Sequence, residues 1–309
     1  MMGEGRLKTV IFCLTEVWRE AAQELAETLE QSRISVSFFS EAEVRHLTDA
    51  MRRRGSRDDV EKALQTLVLT DSQELARELR RIRISGEENG CFACIGCARE
   101  EGGYFEGAGL VTDSPEAFSV QELEEYLFHC HGWPVTVAVT ERLILREITE
   151  QDTKRLYEIS TQAGMEHLQD TIEENFFRKE NLLSYIKDVY RLQGYGLWSV
   201  FLKDGVLIGC CGLADTTAAD GRVRLELQYM LDKEYHRRGY GTEMCRAALN
   251  YVFARTDRQE VWLRIHEEND ASLKLAKRLG FVCEETDSSG IRHFRRGIGI
   301  IYKNEMVNL

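Results

Sequence analysis

The chain has 309 residues, and 40 basic against 52 acidic side chains leave a formal charge of −12 at neutral pH. So acidic a surface excludes a dedicated binder of nucleic acid, and no apolar run reaches the roughly 18–20 residues of a membrane-spanning helix. With 43% hydrophobic residues, only 2 prolines and no low-complexity tract, the sequence is neither disordered nor fibrous, and its length predicts about two globular domains.

Glu16, Arg19 and Glu20 interrupt any apolar leader, and nine cysteines, an odd number, read as reduced thiols of a cytoplasmic protein.

In chain order, residues 8–14 (KTVIFCL) form an apolar, β-branched run. Trp18, Ala22, Leu25, Ala26 and Leu29 follow at helical spacing, and residues 34–39 (ISVSFF) predict a second strand. Two later segments share one pattern, LVLTDSQE from Leu67 and LVTDSPE from Leu110: an apolar strand, Thr-Asp-Ser, then an acidic helix start. Asp71 and Asp113, with the serines after them, either cap the coming helices or face a crevice at the strand ends. Repeated strand–helix units of this kind predict a mostly parallel sheet.

Cys91, Cys94 and Cys97 (CFACIGC) have the spacing that opens an iron–sulfur ligand set, and Cys130 between His129 and His131 could add ligands. Position 101, where a ferredoxin would place its next cysteine, is Glu101, and the segment also reads as a buried strand. No metal is expected. Arg52 to Arg57 (RRRGSR) reads as a solvated loop or helix end. The helix from Val120 stops at Gly132 and Pro134, so one domain is predicted over residues 1–135 and a second over 136–309. The first resembles, loosely, a haloacid-dehalogenase-like or other Rossmann-like α/β domain. Its first strand, VIFCLTEV, lacks the Asp-x-Asp pair of those phosphatases, so no phosphatase activity is expected, and its role is not legible.

In the second domain, residues 141–148 (ERLILREI) alternate as a strand, and a helix starts between Thr149 and Asp152. Residues 197–202 and 206–213 flank Lys203-Asp204-Gly205, a hairpin turn. Residues 222–231 (RVRLELQYML) alternate again, with Val223, Leu225, Leu227, Tyr229 and Leu231 on one face and Arg224, Glu226, Gln228 and Met230 on the other. His236-Arg237-Arg238-Gly239-Tyr240-Gly241-Thr242 then leads into a helix whose inward face holds Cys245, Ala248, Leu249 and Val252. A glycine turn at a helix N-terminus presents unpaired N–H groups and the positive end of the helix dipole, a ready anion site. Gly239 and Gly241 let a pyrophosphate approach, and Arg237 and Arg238 add charge. Another strand (260–266), Asn269-Asp270-Ala271-Ser272, a helix and Leu279-Gly280-Phe281 complete the pattern.

TERLILREIT, LELQYMLDKEYHRRGYGTE and ENDASLKLAKRLGF, in that order over residues from about 140 to 305, resemble the GNAT acyl-CoA N-acetyltransferases, especially the ribosomal-protein N-terminal acetyltransferase branch. The resemblance implies an α/β (α+β) domain with a curved mixed sheet that splays open to take acetyl-CoA as co-substrate. It implies that the backbone of Tyr229, Met230 and Leu231 holds the pantetheine and acetyl group, that the loop from His236 through Thr242 holds the pyrophosphate, and that Asn269 and Ser272 face the cofactor. His236 replaces the usual Gln or Arg, which implies modestly weaker affinity. Ala276 stands where many relatives carry a thiolate-protonating Tyr, so Ser272 is the candidate to assist the leaving group.

An ammonium has no lone pair, so amine acetylation needs a base. Mid-strand Glu226 is the candidate, unless it pairs with Arg224 or a basic residue of another strand. Strand N–H groups, for instance that of Met230, are expected to steady the oxyanion. Asp170, Glu173 and Glu174, near Phe176, Phe177 and Tyr185, either attract a cationic amine or form a solvated helix face. The expected reaction is acetyl transfer to a primary amine, on a protein N-terminus or a small molecule, with the first domain supplying specificity or a homodimer contact. A non-catalytic acyl-CoA-binding regulatory module is the alternative. No nucleic-acid or membrane partner is expected.

Overall fold

The computed structural model describes residues 6–54, 56–82, 92–99, 105–162, 176–178, 180–182, 185, 190, 194–218 and 220–297. Cys91, Glu101, Asp170, Glu173 and Glu174 lie outside them. The chain divides into two compact units, Met1–Trp133 and Pro134–Leu309.

In the first unit five parallel strands, β1 (Thr9–Cys13), β2 (Ser35–Phe38), β3 (Thr66–Thr70), β4 (Ala93–Cys97) and β5 (Leu110–Thr112), stand in the order β2-β1-β3-β4-β5. This is a doubly wound order of the Rossmann-like kind. Strand alternation sends Val10, Phe12, Leu67 and Leu69 to one face, with Leu25 and Leu29 of α1 (Arg19–Gln31) and Leu123 and Leu127 of α5 (Val120–His131). Ile11, Cys13 and Val68 go to the other face. There they meet Val44 of α2 (Glu41–Arg54), Leu64 of α3 (Arg57–Leu64) and Leu75 and Leu79 of α4 (Gln73–Arg81). Cys94 and Cys97 lie on opposite faces of β4, each buried in apolar surroundings, and no group of three or more metal-binding side chains gathers among the described residues. Burial pushes the Cys97 thiol up to about 12, as expected of an inert core thiol.

The two Thr-Asp-Ser segments diverge. Ser72 caps α4 by accepting from the Leu75 N–H, while Asp71 instead accepts from the hydroxyl of Thr15 at 2.6 Å. Pro115 turns the second segment into a short 3-10 helix, Pro115–Ala117, and α5 is capped by Ser119 and Glu122 in a reciprocal box. Gly132, at φ 70°, ends α5.

The second unit is built on an eight-stranded sheet ordered β12-β13-β11-β10-β9-β8-β7-β6. Its strands are β6 (Thr136–Val139), β7 (Leu143–Glu147), β8 (Leu197–Leu202), β9 (Leu207–Thr217), β10 (Val223–Leu231), β11 (Glu260–His266), β12 (Val282–Thr286) and β13 (Ile291–Gly297). All neighbours are antiparallel except β10 and β11. Long helix α7 (Tyr240–Arg255) covers one face, burying Cys245, Ala248, Leu249 and Val252 against Leu225, Leu227, Leu263 and Ile265. Val223, at the solvent end of β10, is exposed and does not join that face. Helix α6 (Thr153–Ser160) covers the other, with Leu156 and Ile159 against Cys210 and Met230. Phe177 is core there, and Phe176 packs edge to face on both Phe177 and Tyr185. No helix among the described residues is long and apolar enough to cross a membrane.

Candidate active site

β10 and β11 are parallel neighbours at one register point, Glu226 opposite Trp262. Beyond it they part. A cavity of about 590 Å³ fills the gap, with Leu227, Tyr229, Met230 and Leu231 on one wall and Leu263, Arg264, Ile265 and His266 on the other. Its floor is Gly239, Gly241 and Thr242 at the start of α7 and Asn269 to Ser272 at the start of α8 (Asp270–Arg278). The volume suits a cofactor-sized ligand.

Pairing parity fixes which backbone groups face the gap. Asp232 N–H donates to the Ile208 carbonyl, and in the antiparallel register that makes Met230 with Cys210 a hydrogen-bonded pair as well. The Met230 N–H is therefore committed to β9. This corrects the expectation that it steadies an oxyanion: the groups facing the gap are the N–H of Tyr229 and of Leu231. The Leu231 carbonyl also faces away from β9 and meets Nε2 of His236 at 2.8 Å.

The loop before α7 has an unusual backbone. Arg237 is at φ 60° and Gly239, the residue before the helix, at φ 86°. The N–H groups of Thr242 and Glu243 fold back onto the Gly239 carbonyl, so those of Gly239 to Gly241 precede the first helical bond. Arg142 braces this turn: its guanidinium donates to the Arg238 carbonyl at 3.0 Å and to Glu243 at 2.7 Å, and stacks 4.4 Å over the Tyr240 ring. Thr140 and the Arg142 N–H also donate to Glu243. Burial alone would raise the Glu243 carboxyl, but these hydrogen bonds hold it below its ordinary value. Among the loop residues, His236, Arg237, Gly239, Gly241 and Thr242 line the cavity; the Arg238 side chain instead lies over the Tyr235 ring, and Tyr240 packs beneath Arg142. Arg237, Arg264, Lys274 and Arg278 against Asp270 give the cavity a cationic wall on a chain of net charge −12.

At α8, Asn269 accepts from the Ser272 N–H at 3.1 Å, capping the helix. The Ser272 side chain lies beside the Tyr229 phenol, which burial pushes well above its ordinary value while that polar neighbour pulls it back. Ala276 is fully buried in the core. Glu226 is nearly buried and does not line the cavity. Its Oε1 lies 2.7 Å from Nε of Arg264, which does line it. Arg142, Glu243, Tyr229's phenol and Arg264 are site residues that sequence patterns do not disclose, because each acts through a partner far along the chain.

Residues 142–282 match the family model described as an acetyltransferase (GNAT) domain. This segment is a GNAT acetyltransferase domain. The chain is similar to the uncharacterised protein YkkB of Bacillus subtilis (strain 168), at 25% identity over 182 residues, 56% of this chain and 98% of that protein. Similar solved structures include the acetyltransferase from Agrobacterium tumefaciens strain C58, at 17% identity, covering 52% of this chain and 92% of that one with a TM-score of 0.44. Another is the spermidine N-acetyltransferase from Vibrio cholerae in complex with CoA and spermine, at 18% identity, 50% and 95% coverage and a TM-score of 0.41.

Proposed function

We propose that the GNAT domain transfers the acetyl group of acetyl-CoA to a primary amine by direct attack. The observation that carries this reading is the cavity between β10 and β11, cationic on an acidic protein and ending at the glycine turn of α7. The diphosphate takes the N–H groups of Gly239 to Gly241 with Arg237 beside them, and His236 and Thr242 flank it. The pantetheine follows the unpaired edge of β10, past Asn269, and the acetyl oxygen accepts from the N–H of Tyr229 or Leu231.

Glu226 takes a proton from the acceptor ammonium, directly or through water, and the neutral amine attacks the carbonyl carbon. As the tetrahedral adduct collapses, the carbon–sulfur bond breaks, coenzyme A leaves as thiolate, and the extra proton on the former amine nitrogen passes to the departing sulfur or to water. Ser272, with the Tyr229 phenol behind it, donates a hydrogen bond to that sulfur. The first unit contributes acceptor specificity or a dimer contact, and the free thiols of the described cysteines accord with a cytoplasmic setting.

The test couples calorimetric titration of coenzyme A to a free-thiol assay with acetyl-CoA and a panel of primary amines. Binding with amine-dependent thiol release supports the reading. Binding without transfer to any amine, unchanged in Glu226→Gln, supports an acyl-CoA-sensing module instead.

A further inference from the structure

Arg264 and Glu226 form a couple that the protein itself leaves incomplete. Both project from the sheet face opposite α7, since Val261, Leu263 and Ile265 of β11 and Leu225 and Leu227 of β10 occupy the α7 side. The Glu226 side chain is 95% buried, at 5% exposure, and Arg264 is 35% exposed. Their closest atoms, Nε and Oε1, are 2.7 Å apart, yet the Nε–H does not point along that line, and the buried Nε and Oε2 make no hydrogen bond among the described residues. Glu226 is the only carboxylate paired with Arg264 among the described residues.

A buried ion pair kept for stability has its remaining donors and acceptors satisfied, because an orphaned charged atom costs more than the attraction returns. This pair has orphans on both sides and borders a cavity. It also lies at the reacting end of that cavity: from Glu226 to the end of β10 at Leu231 is roughly 16 Å of strand, with the phosphate turn beyond. The guanidinium is therefore remote from the diphosphate, and its terminal nitrogens await another anion.

We infer that the acceptor is a zwitterion, a primary amine carrying a carboxylate, of which a free α-amino acid is the simplest form. The carboxylate takes the terminal nitrogens of Arg264 in the forked geometry that guanidinium offers. One carbon away, the ammonium then lies beside Glu226, the group that must receive its proton. A positive and a negative side chain side by side complement a ligand with the same two charges, whereas a polycation would meet Arg264 as a repulsive neighbour. This inference rests on the acetyltransferase reading and narrows its substrate.

The experiment uses the full chain and acetyl-CoA, with thiol release measured for the free amino acids, their amides and the matching alkylamines, and with spermidine. Coenzyme A binding is titrated in parallel. The expected result is kcat/KM for at least one amino acid at least about tenfold above its amide. Arg264→Gln is expected to raise KM for that amino acid by about tenfold or more relative to its effect on KM for the amide, with Arg264→Lys restoring part of the loss. Amides, alkylamines or spermidine turning over as well as the amino acids overturns the inference and leaves the acetyltransferase reading standing; so does an equal effect of Arg264→Gln on amino acid and amide. Failure of coenzyme A to bind removes both.

Discussion

Arg142 donates its Nε–H to Oε2 of Glu243 at 2.7 Å, joining positions 101 apart in sequence, and the same guanidinium holds the Arg238 carbonyl. The start of β7 thereby fixes the turn on which the diphosphate is proposed to sit. Glu243→Gln is expected to lower stability by about 2 kcal/mol at neutral pH, the scale of a charged hydrogen bond lost in a partly buried site. The folded carboxyl is held below its ordinary 4.5, so its stabilisation is present above pH 4.5 and lost as pH falls through the lowered value. Melting curves of wild type and Glu243→Gln should converge as pH drops below 4.5. A gap that does not narrow as the pH falls below 4.5 contradicts the assignment.

Glu226→Gln separates chemistry from architecture. The variant keeps the shape and removes the proposed base, so kcat is expected to fall by about a hundredfold or more while coenzyme A affinity holds. Normal kcat together with a large loss of stability would return Glu226 to a purely structural partner of Arg264.

The Tyr229 phenol and the Ser272 side chain are polar neighbours at the cavity wall. Tyr229→Phe and Ser272→Ala are each expected to slow transfer by about tenfold, and the double variant by little more than either alone, as for groups acting as a unit. Independent, multiplying effects would show that the hydroxyls do not work together.

His131 belongs to the first unit, 7% exposed, with neither ring nitrogen hydrogen-bonded and the Leu64 backbone near but out of geometry. Burial pushes its imidazole down from 6.5 to about 4. The unfolded chain therefore binds the proton first, and stability falls as pH drops from 6.5 towards 4, by about 3 kcal/mol at the full extent. Calorimetric melts of His131→Phe should lack that part of the slope. An unchanged slope would place the acid sensitivity elsewhere.

Much of this architecture was legible because strands that bury one or both faces declare themselves by alternation or by continuous apolar runs. The glycine turn before α7, the Asn269 cap and the inward stripe of α7 all follow from local spacing. β6 was missed: Val135-Thr-Val-Ala-Val is a short run directly behind Pro134, without the length that separates strand from linker. Pro115 changed the second Thr-Asp-Ser segment, since a proline at the first helical position admits a 3-10 turn as readily as an α-helix. The bracing of Glu243 by Arg142 and the pairing of Glu226 with Arg264 depend on strand register. Register is a property of the assembled sheet, as is the parity that turns the Met230 N–H towards β9.

Main-chain amides around Gly241 are proposed to meet the diphosphate of coenzyme A. A Cβ added at Gly241 would meet nothing closer than Leu275 Cδ2, at 3.7 Å, an ordinary contact, whereas one at Gly239 sits at φ +86° and 3.3 Å from the Arg142 guanidinium. Gly241→Ala therefore leaves the protein unstrained and places a methyl where the phosphate must approach. Titration of coenzyme A into Gly241→Ala is predicted to show affinity reduced by about tenfold or more at unchanged Tm. Wild-type affinity in that variant would contradict the claim.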